Sequence, residues 1–319
     1  MTKIVCLAPQ TRADRVEQLR AQFPAVEFVI PSPRADAINH VADADAFFGN
    51  PTNDEYQAAQ KLRWIQAQSA GVEFIEKVPA LRDDAVVVTN MRGAHAATIA
   101  ETAFAMLLTM TRGLKLYQEF QDREEWGRGQ LSDRVIGIKG LTMGIIGFGN
   151  IGRAIARRAH GFEMNVLAVD AQPVPPNEHV SEVWPLSRLD EMCEKSDVLV
   201  ISCPVTPETR GMVGAKQIQK MQRGSHLLAM SRGGIVQEVP LIDALETGHL
   251  AGAGLDVTAV EPLPAGDPLW KATNVIVTPH TSAASALTSD LVWSMFATNI
   301  EHFIKGEPLE NTVDKQAGY

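Results

Sequence analysis

Short apolar runs of strand length alternate with helical patterns along the whole 319-residue chain. Strands that alternate with helices are typical of βαβ units, in which a parallel sheet is covered by helices on both faces. The sequence therefore predicts an α/β fold built from doubly wound parallel sheets. The candidate strands are residues 3–8, 26–30, 45–49, 62–67 and 85–90 in the first part, and 142–147, 164–170, 197–203, 225–230, 250–257 and 274–279 in the second.

The length and the helical patterns predict two domains. A chain of 319 residues is long for one compact core. A helical pattern that begins near Ile99 is apolar on all sides at first, so we expect this helix to be buried at the domain boundary, and the run WGRGQ ends it. The last helical pattern is expected to return to the first domain. We predict one domain from residues 1–100 plus 285–319 and another from residues 101–284.

Composition excludes several classes of function. The chain has 29 Lys and Arg against 38 Asp and Glu, a net charge of −9, which disfavours nucleic acid and anionic membranes as partners. No apolar run approaches the ~20 residues of a membrane span, and the N-terminal run is too short for a signal peptide. Cys6, Cys193 and Cys203 are too few and too scattered for a disulfide framework or a zinc site. We predict a cytoplasmic protein without a metal.

The run LTMGIIGFGNIGRAIARRAH places three glycines between a candidate strand and a helical pattern. Gly147 permits a tight turn, Gly149 lets the backbone approach a pyrophosphate, and Gly152 lets the helix pack on the strand. The amides of Asn150 and Ile151 open the helix, where an anion is favoured. A strand before the glycines and a helix after them are the context that this motif requires, so we predict dinucleotide binding.

Asp170 ends the next candidate strand, eighteen residues after Gly152. A carboxylate at this place accepts hydrogen bonds from the adenosine ribose and repels the 2′-phosphate of NADP. No Arg or Lys follows in DAQPVPP. We therefore predict NAD as the cofactor, with NADH preferred over NADPH. Arg153, Arg157 and Arg158 are interpreted as a solvated helix face.

Six motifs, in this order and spacing, resemble the D-isomer-specific 2-hydroxyacid dehydrogenase family. The resemblance implies two Rossmann-like domains with the active site in the cleft between them. It also implies that residues 1–100 plus 285–319 bind the substrate, that residues 101–284 bind NAD, and that the protein is a homodimer joined through its nucleotide-binding domains. The motifs are GIIGFGNIG, VTPETRGMVG, SRGGIVQE, GLDVTAVEPLP, DPLW and TPHTSA.

Three residues after strand ends match the chemistry of 2-keto acid reduction. The planar fork of Arg232 suits a carboxylate, and strand ends are where open α/β sheets bind ligands. A carboxylate such as Glu261 beside the imidazole of His280 fixes its tautomer and favours the protonated ring. In the resembled family these positions are the substrate-binding Arg, the Glu partner and the His acid/base. A histidine that merely ends a buried strand is the alternative for His280.

The resemblance implies further contacts. The amides of Ala70, Gly71 and Val72 are expected to hold the substrate carboxylate. For Asp256 a buried structural acid is the alternative to a place beside the nicotinamide. His95 is interpreted as a helix start rather than a substrate contact, and Trp293 either lines a substrate pocket or fills the core. The remaining expected cofactor contacts are Cys203, Pro204, Thr209, Ser231 and Ser282.

We predict that the protein reduces a small 2-keto acid to the D-2-hydroxy acid, or catalyses the reverse oxidation. The alternative is a nicotinamide-sensing binding protein similar to the corepressors of the family, which have no metabolic substrate. A formate dehydrogenase is disfavoured because that relative pairs its His with Gln, whereas this chain has Glu261. Residues 99–126 have the length and composition to form the surface between two subunits.

Overall fold

The structure is a computed structural model that describes residues 2–7, 13–31 and 34–316. Its strands are β1 Thr2–Leu7, β2 Val26–Val29, β3 Ala46–Phe48, β4 Trp64–Gln66, β5 Val87–Thr89, β6 Thr142–Ile146, β7 Asn165–Asp170, β8 Val183–Pro185, β9 Val198–Ile201, β10 Ser225–Ala229, β11 Leu250–Leu255 and β12 Val275–Val277. Its α-helices are α1 Ala13–Gln22, α2 Ala37–Val41, α3 Asn53–Ala58, α4 Ala96–Thr111, α5 Leu114–Asp122, α6 Asn150–Gly161, α7 Leu189–Lys195, α8 Ala215–Lys220, α9 Glu238–Glu246 and α10 Ala286–Lys305.

The chain divides into two compact units, residues 1–95 with 285–319 and residues 96–284. The helix expected near Ile99 begins at Ala96 and is the first element of the second unit. Each unit has its own sheet and its own core.

The first unit contains a five-stranded parallel sheet in the order β2-β1-β3-β4-β5. Apolar side chains pack on both faces of this sheet because neighbouring residues of a strand point to opposite sides. Phe47 belongs to the core on one face, while Phe48 and Trp64 belong to the core on the other face, where α10 contributes Phe296. Ser285 caps the start of α10 by accepting from Thr288 N at 2.9 Å.

The second unit contains a seven-stranded parallel sheet in the order β12-β11-β10-β9-β6-β7-β8. Its central strands β9 and β10 are buried along their whole length, as expected for a sheet covered on both faces. On β6, Met143 and Ile145 face the core formed with α4 and α6, whereas Ile146 faces the opposite core. The α/β class with doubly wound parallel sheets is therefore confirmed.

The prediction of one helix from Ile99 to the run WGRGQ is wrong in one respect. The structure has two helices here, α4 and α5. Gly113 separates α4 from α5 with a φ of +63°, a left-handed conformation that glycine adopts without steric cost. The short strand β8 was not predicted. Residue 8, at the end of the first candidate strand, lies outside the described residues.

Candidate active site

The predicted site residues of the second unit follow its strands. Because all seven strands are parallel, their carboxyl ends meet at one edge of the sheet, where open α/β sheets bind ligands. The glycine loop follows β6, Asp170 ends β7, Cys203 follows β9, Arg232 follows β10, Asp256 and Glu261 follow β11, and His280 follows β12.

His280 and Glu261 are in direct contact. His280 Nδ1 is 2.8 Å from Glu261 Oε2, and the two side chains are 44% and 37% exposed, so solvent or a bound molecule can reach them. The other carboxylate oxygen, Oε1, accepts a hydrogen bond from Thr258 N at 3.1 Å. An ionised carboxylate only accepts, so Nδ1 carries the proton of this bond. Nε2 is then the ring atom that can exchange a proton with a bound molecule.

The turn that carries His280 is held by Asp256. His280 has a φ of +53°, which is uncommon for a residue other than glycine. Its amide donates to Asp256 O at 2.9 Å. The buried carboxylate of Asp256 accepts from Thr278 Oγ1 at 2.6 Å, from Thr281 N at 2.9 Å and from the amide and hydroxyl of Ser282. These bonds support the structural alternative for Asp256 and explain how the unusual backbone conformation is maintained.

Arg232 lies in a turn that presses against the segment carrying Glu261. A Cβ atom on Gly233 would be 1.8 Å from Thr258 O, so only glycine permits this approach. Arg232 is half-buried, and its Nη1 donates to Ser231 O at 2.8 Å. Arg232 and Glu261 thus lie in two segments that touch each other. His280 lies in a third segment, which is hydrogen-bonded to Asp256.

The glycine loop has the geometry that a pyrophosphate requires. Gly147 has a φ of +90°, and a Cβ there would be 2.7 Å from the backbone of Cys203. A Cβ on Gly152 would be 2.2 Å from Gly147 O, so α6 packs closely on the turn. Gly149 has open space in front of it, because no described atom would lie within 4 Å of a Cβ added there. Asn150 and Ile151 begin α6 directly behind it, with their amides at the positive end of the helix.

Asp170 is half-buried, and each of its carboxylate oxygens accepts one backbone amide. Oδ2 accepts from Phe148 N at 2.7 Å, and Oδ1 accepts from Gln172 N at 2.9 Å. Each oxygen keeps further acceptor capacity. The carboxylate is therefore fixed beside the glycine loop and can still accept from ribose hydroxyls.

Cys203, Pro204 and Thr209 lie in the segment that follows β9. Burial raises the pKa of the Cys203 thiol to about 12, so this side chain is not a nucleophile at neutral pH. The Thr209 hydroxyl donates to Pro204 O at 2.7 Å and accepts from Thr206 N at 2.7 Å. Its hydrogen bonds stabilise the 204–209 turn.

The predicted carboxylate-binding loop of the first unit follows β4. Asn90 Nδ2 donates to Ala70 O and Ser69 Oγ donates to Gly71 O, both at 2.8 Å, which orders the loop through its carbonyl groups. The amides of Ala70, Gly71 and Val72 have no acceptor within the described part of the chain. They are therefore available to an anion.

Two residues with open interpretations also lie in the first unit. His95 directly precedes α4 and is half-buried. Trp293, on α10, has its ring centre 5.3 Å from that of Phe48 and 6.1 Å from that of Phe296. These contacts support the interpretation of Trp293 as a residue that fills the core.

No cluster of three or more His, Cys, Asp or Glu side chains placed to bind a metal occurs among residues 2–7, 13–31 and 34–316. Within the same ranges, no helix has the length and apolar character needed to cross a membrane.

Comparison with known proteins decides the family. A model described as "D-isomer specific 2-hydroxyacid dehydrogenase, NAD binding domain" matches residues 104–282. The chain belongs to this family. It is 32% identical over 289 residues to hydroxypyruvate reductase of Blautia hydrogenotrophica, covering 88% of each chain. It is 35% identical over 294 residues to glyoxylate reductase of Korarchaeum cryptofilum, covering 90% of this chain and 87% of the relative.

A solved structure shares the fold of this 2-hydroxyacid dehydrogenase family member over its full length. The NADPH-dependent glyoxylate/hydroxypyruvate reductase from Sinorhizobium meliloti, in complex with NADP and sulfate, superposes with a TM-score of 0.85 at 27% identity and covers 100% of both chains. The resemblance inferred from the six motifs is therefore confirmed.

As a member of the 2-hydroxyacid dehydrogenase family, the protein uses a nicotinamide cofactor. Two observations show that its own residues fit such a group. The hydroxyl of Ser231 is buried and has no hydrogen-bond partner among the described residues, which leaves it for a bound molecule. The open space at Gly149 lies where a pyrophosphate would meet the first amides of α6.

Sequence reasoning missed the residues that support the expected catalytic side chains in this dehydrogenase. Thr258 orients Glu261, and Thr278 and Thr281 bind Asp256. All three lie inside the quoted motifs GLDVTAVEPLP and TPHTSA. Their types and positions were visible, but nothing in the sequence alone indicates which acceptor each donor would meet.

Proposed function

We propose that this protein reduces a small 2-keto acid to the corresponding D-2-hydroxy acid with NADH, and catalyses the reverse reaction with NAD. The observation that carries the proposal is the 2.8 Å contact between His280 Nδ1 and Glu261 Oε2, next to the turn that holds Arg232. A cation for a carboxylate and a supported proton donor are the groups that keto acid reduction requires.

The bound nicotinamide supplies the hydride that reaches the keto carbon. His280 donates the proton from Nε2 to the keto oxygen, so that one hydride and one proton convert the ketone to the alcohol. Glu261 keeps the imidazole in the required orientation and stabilises its protonated form. Arg232 binds the substrate carboxylate through its planar fork, together with the amides of Ala70, Gly71 and Val72.

The cofactor part of the proposal is a preference for NADH over NADPH. Asp170 places a negative charge beside the glycine loop, where it would face the 2′-phosphate of NADPH. Unfavourable charge contacts of this kind cost several kcal/mol, on the order of 10²-fold in efficiency. Asp170 supports NADH although the Sinorhizobium relative is NADPH-dependent. Equal kcat/KM values with the two cofactors would contradict this part.

The partner part of the proposal is a homodimer in the cytoplasm. Exposed apolar side chains follow the buried helix α4, in α5 and in the segment after it. Leu114 and Tyr117 are exposed, and Trp126 is 91% exposed. A tryptophan so exposed is unusual on a monomer and typical of residues that another protein surface covers.

An assay of NADH oxidation with a panel of 2-keto acids tests the proposed reaction. Glyoxylate, hydroxypyruvate, pyruvate and bulkier keto acids span the relevant sizes, and chiral chromatography identifies the product. We expect turnover of at least one acid to its D-isomer, and a loss of roughly 10²–10⁴-fold in kcat for His280→Ala. Binding of NADH without turnover of any acid would instead support the nicotinamide-sensing alternative.

A further inference from the structure

The first turn of α6 brings a cation to the region around Asp170. Arg153 follows Gly152, and its guanidinium carbon is 4.6 Å from the centre of the Phe148 ring. Its Nη2 donates to Pro175 O at 2.6 Å. Arg153 therefore contacts both the glycine loop and the segment that follows Asp170. This placement differs from the solvated helix face predicted from the sequence, because the aromatic ring and the carbonyl hold the side chain against the protein.

Asp170 joins the same two segments. Its carboxylate binds the amide of Phe148 in the glycine loop and the amide of Gln172 in the segment that continues to Pro175. Arg153 has no acidic side chain within ion-pair distance in the described parts of the chain. The Asp170 carboxylate and the Arg153 guanidinium thus both connect the glycine loop to the segment after Asp170, and they do not form an ion pair with each other.

The chemistry of Arg153 suits a phosphate. A guanidinium has five N–H donors in a rigid plane, and here one nitrogen is engaged with a carbonyl. Stacking on Phe148 fixes the plane, which reduces the entropy lost when the group binds a ligand. A phosphate monoester carries close to two negative charges and binds such a fork bidentately. The adenosine ribose, if held by Asp170, would present its 2′ position to these two segments.

We propose that Arg153 is a cationic subsite for the 2′-phosphate of NADPH and that Asp170 suppresses it. The two residues then set the cofactor preference as an opposed pair: Asp170 repels the phosphate, and Arg153 retains part of its attraction. Removal of the Asp170 charge exposes the subsite without any new cation. This inference rests on the proposed function, because it requires that the glycine loop binds a nicotinamide dinucleotide.

Equilibrium binding measures the subsite without turnover. Dissociation constants for NADH and NADPH follow from nucleotide fluorescence, and calorimetry with adenosine 2′,5′-bisphosphate against 5′-AMP isolates the 2′-phosphate. The proteins are wild type, Asp170→Asn, Arg153→Gln, Arg153→Lys and the Asp170→Asn/Arg153→Gln double variant. Arg157→Gln is the matched control, because Arg157 lies one turn further along α6 and is exposed.

We expect Asp170→Asn to tighten NADPH relative to NADH by about tenfold or more. The double variant should lose most of that gain, and Arg153→Gln alone should weaken NADPH more than NADH by about tenfold. Arg153→Lys should keep part of the preference for the 2′-phosphate, because it keeps the charge but not the fork. Arg157→Gln should bind both nucleotides as wild type does.

Equal NADPH affinity in Asp170→Asn and in the double variant, with NADH binding intact, would overturn the subsite but not the proposed function. The same holds if Arg153→Gln leaves the ratio of the two dissociation constants unchanged, which can be measured even if Asp170→Asn does not fold. A wild-type protein that binds neither nucleotide would overturn both proposals.

Discussion

His280 and Glu261 are two exposed side chains whose function depends on a single proton. Reduction requires that His280 gives a proton to the keto oxygen, and Glu261 holds the ring that carries this proton. Glu261→Gln keeps a hydrogen-bond acceptor but removes the charge that stabilises the protonated ring. The kcat for reduction should therefore fall by about tenfold, while the KM for NADH stays near its wild-type value.

Steady-state rates at neutral pH check this loss. Glu178→Gln is the control, because Glu178 Oε1 is 3.3 Å from His179 Nε2 in the same unit and has no part in the proposed chemistry. The kcat for oxidation should fall as well, because the same ring accepts the proton in that direction. A kcat for Glu261→Gln equal to that of wild type would show that the two residues are not coupled.

Arg232 provides a second prediction that concerns a single residue. Arg232→Lys conserves the charge but loses one arm of the fork, so the KM for the keto acid should rise by about tenfold while kcat changes less. The KM for NADH should stay near its wild-type value. Arg210→Lys, near Gly234 in the same region, is the control for the substitution itself. An unchanged KM in Arg232→Lys would leave the loop amides at residues 70–72 as the only proposed carboxylate anchor.

Strand β10 contains a buried histidine that links the stability of the second unit to pH. Burial lowers the pKa of His226 from 6.5 to about 4. Between these values the unfolded chain binds a proton that the folded chain does not, so stability is present above pH 6.5 and is lost as the pH falls towards 4. This difference in pKa corresponds to a loss of about 2 kcal/mol of stability between pH 7 and pH 5.

Denaturant titrations at pH 7 and pH 5 measure this loss. His226→Leu removes the titrating group, so the difference between the two unfolding free energies should shrink by about 2 kcal/mol relative to wild type. His160→Leu changes an exposed histidine on α6 and should leave the difference as it is. If His226→Leu loses as much stability as wild type on acidification, another group is responsible.

The strands and the residues that follow them could be predicted from the sequence, whereas the hydrogen bonds that hold those residues in place could not. A run such as TMGIIG or DVLVISC indicates a buried parallel strand, and parallel strands bring the residues after them to one edge, which is how Arg232, Glu261 and His280 were singled out. The hydrogen bonds of Asp256 depend on the register of two strands and on a left-handed residue, and neither follows from a local pattern. The break at Gly113 was missed because the apolar pattern continues across it.

At the scale of the whole molecule, Trp126 provides the test of assembly. Light scattering should give a particle of twice 34.7 kDa at assay concentrations. Trp126→Asp should shift the equilibrium towards the monomer, because a charge replaces an apolar side chain expected at the subunit interface. Val239→Asp is the control, since Val239 is 71% exposed on α9. A wild-type particle of 34.7 kDa would exclude the homodimer.

The first unit is built from two stretches of chain that are far apart in sequence, and this affects the order in which the ribosome produces a folded protein. Residues 96–284 form a continuous unit that is synthesised before α10 exists. Phe296 on α10 stacks on Phe48 with ring centres 3.9 Å apart and is buried in the core that also contains Trp64. Nascent domains fold as units once their residues have emerged. The strands of the first unit are therefore synthesised well before α10 completes their core, and until then Phe48 and Trp64 are natural targets for a chaperone.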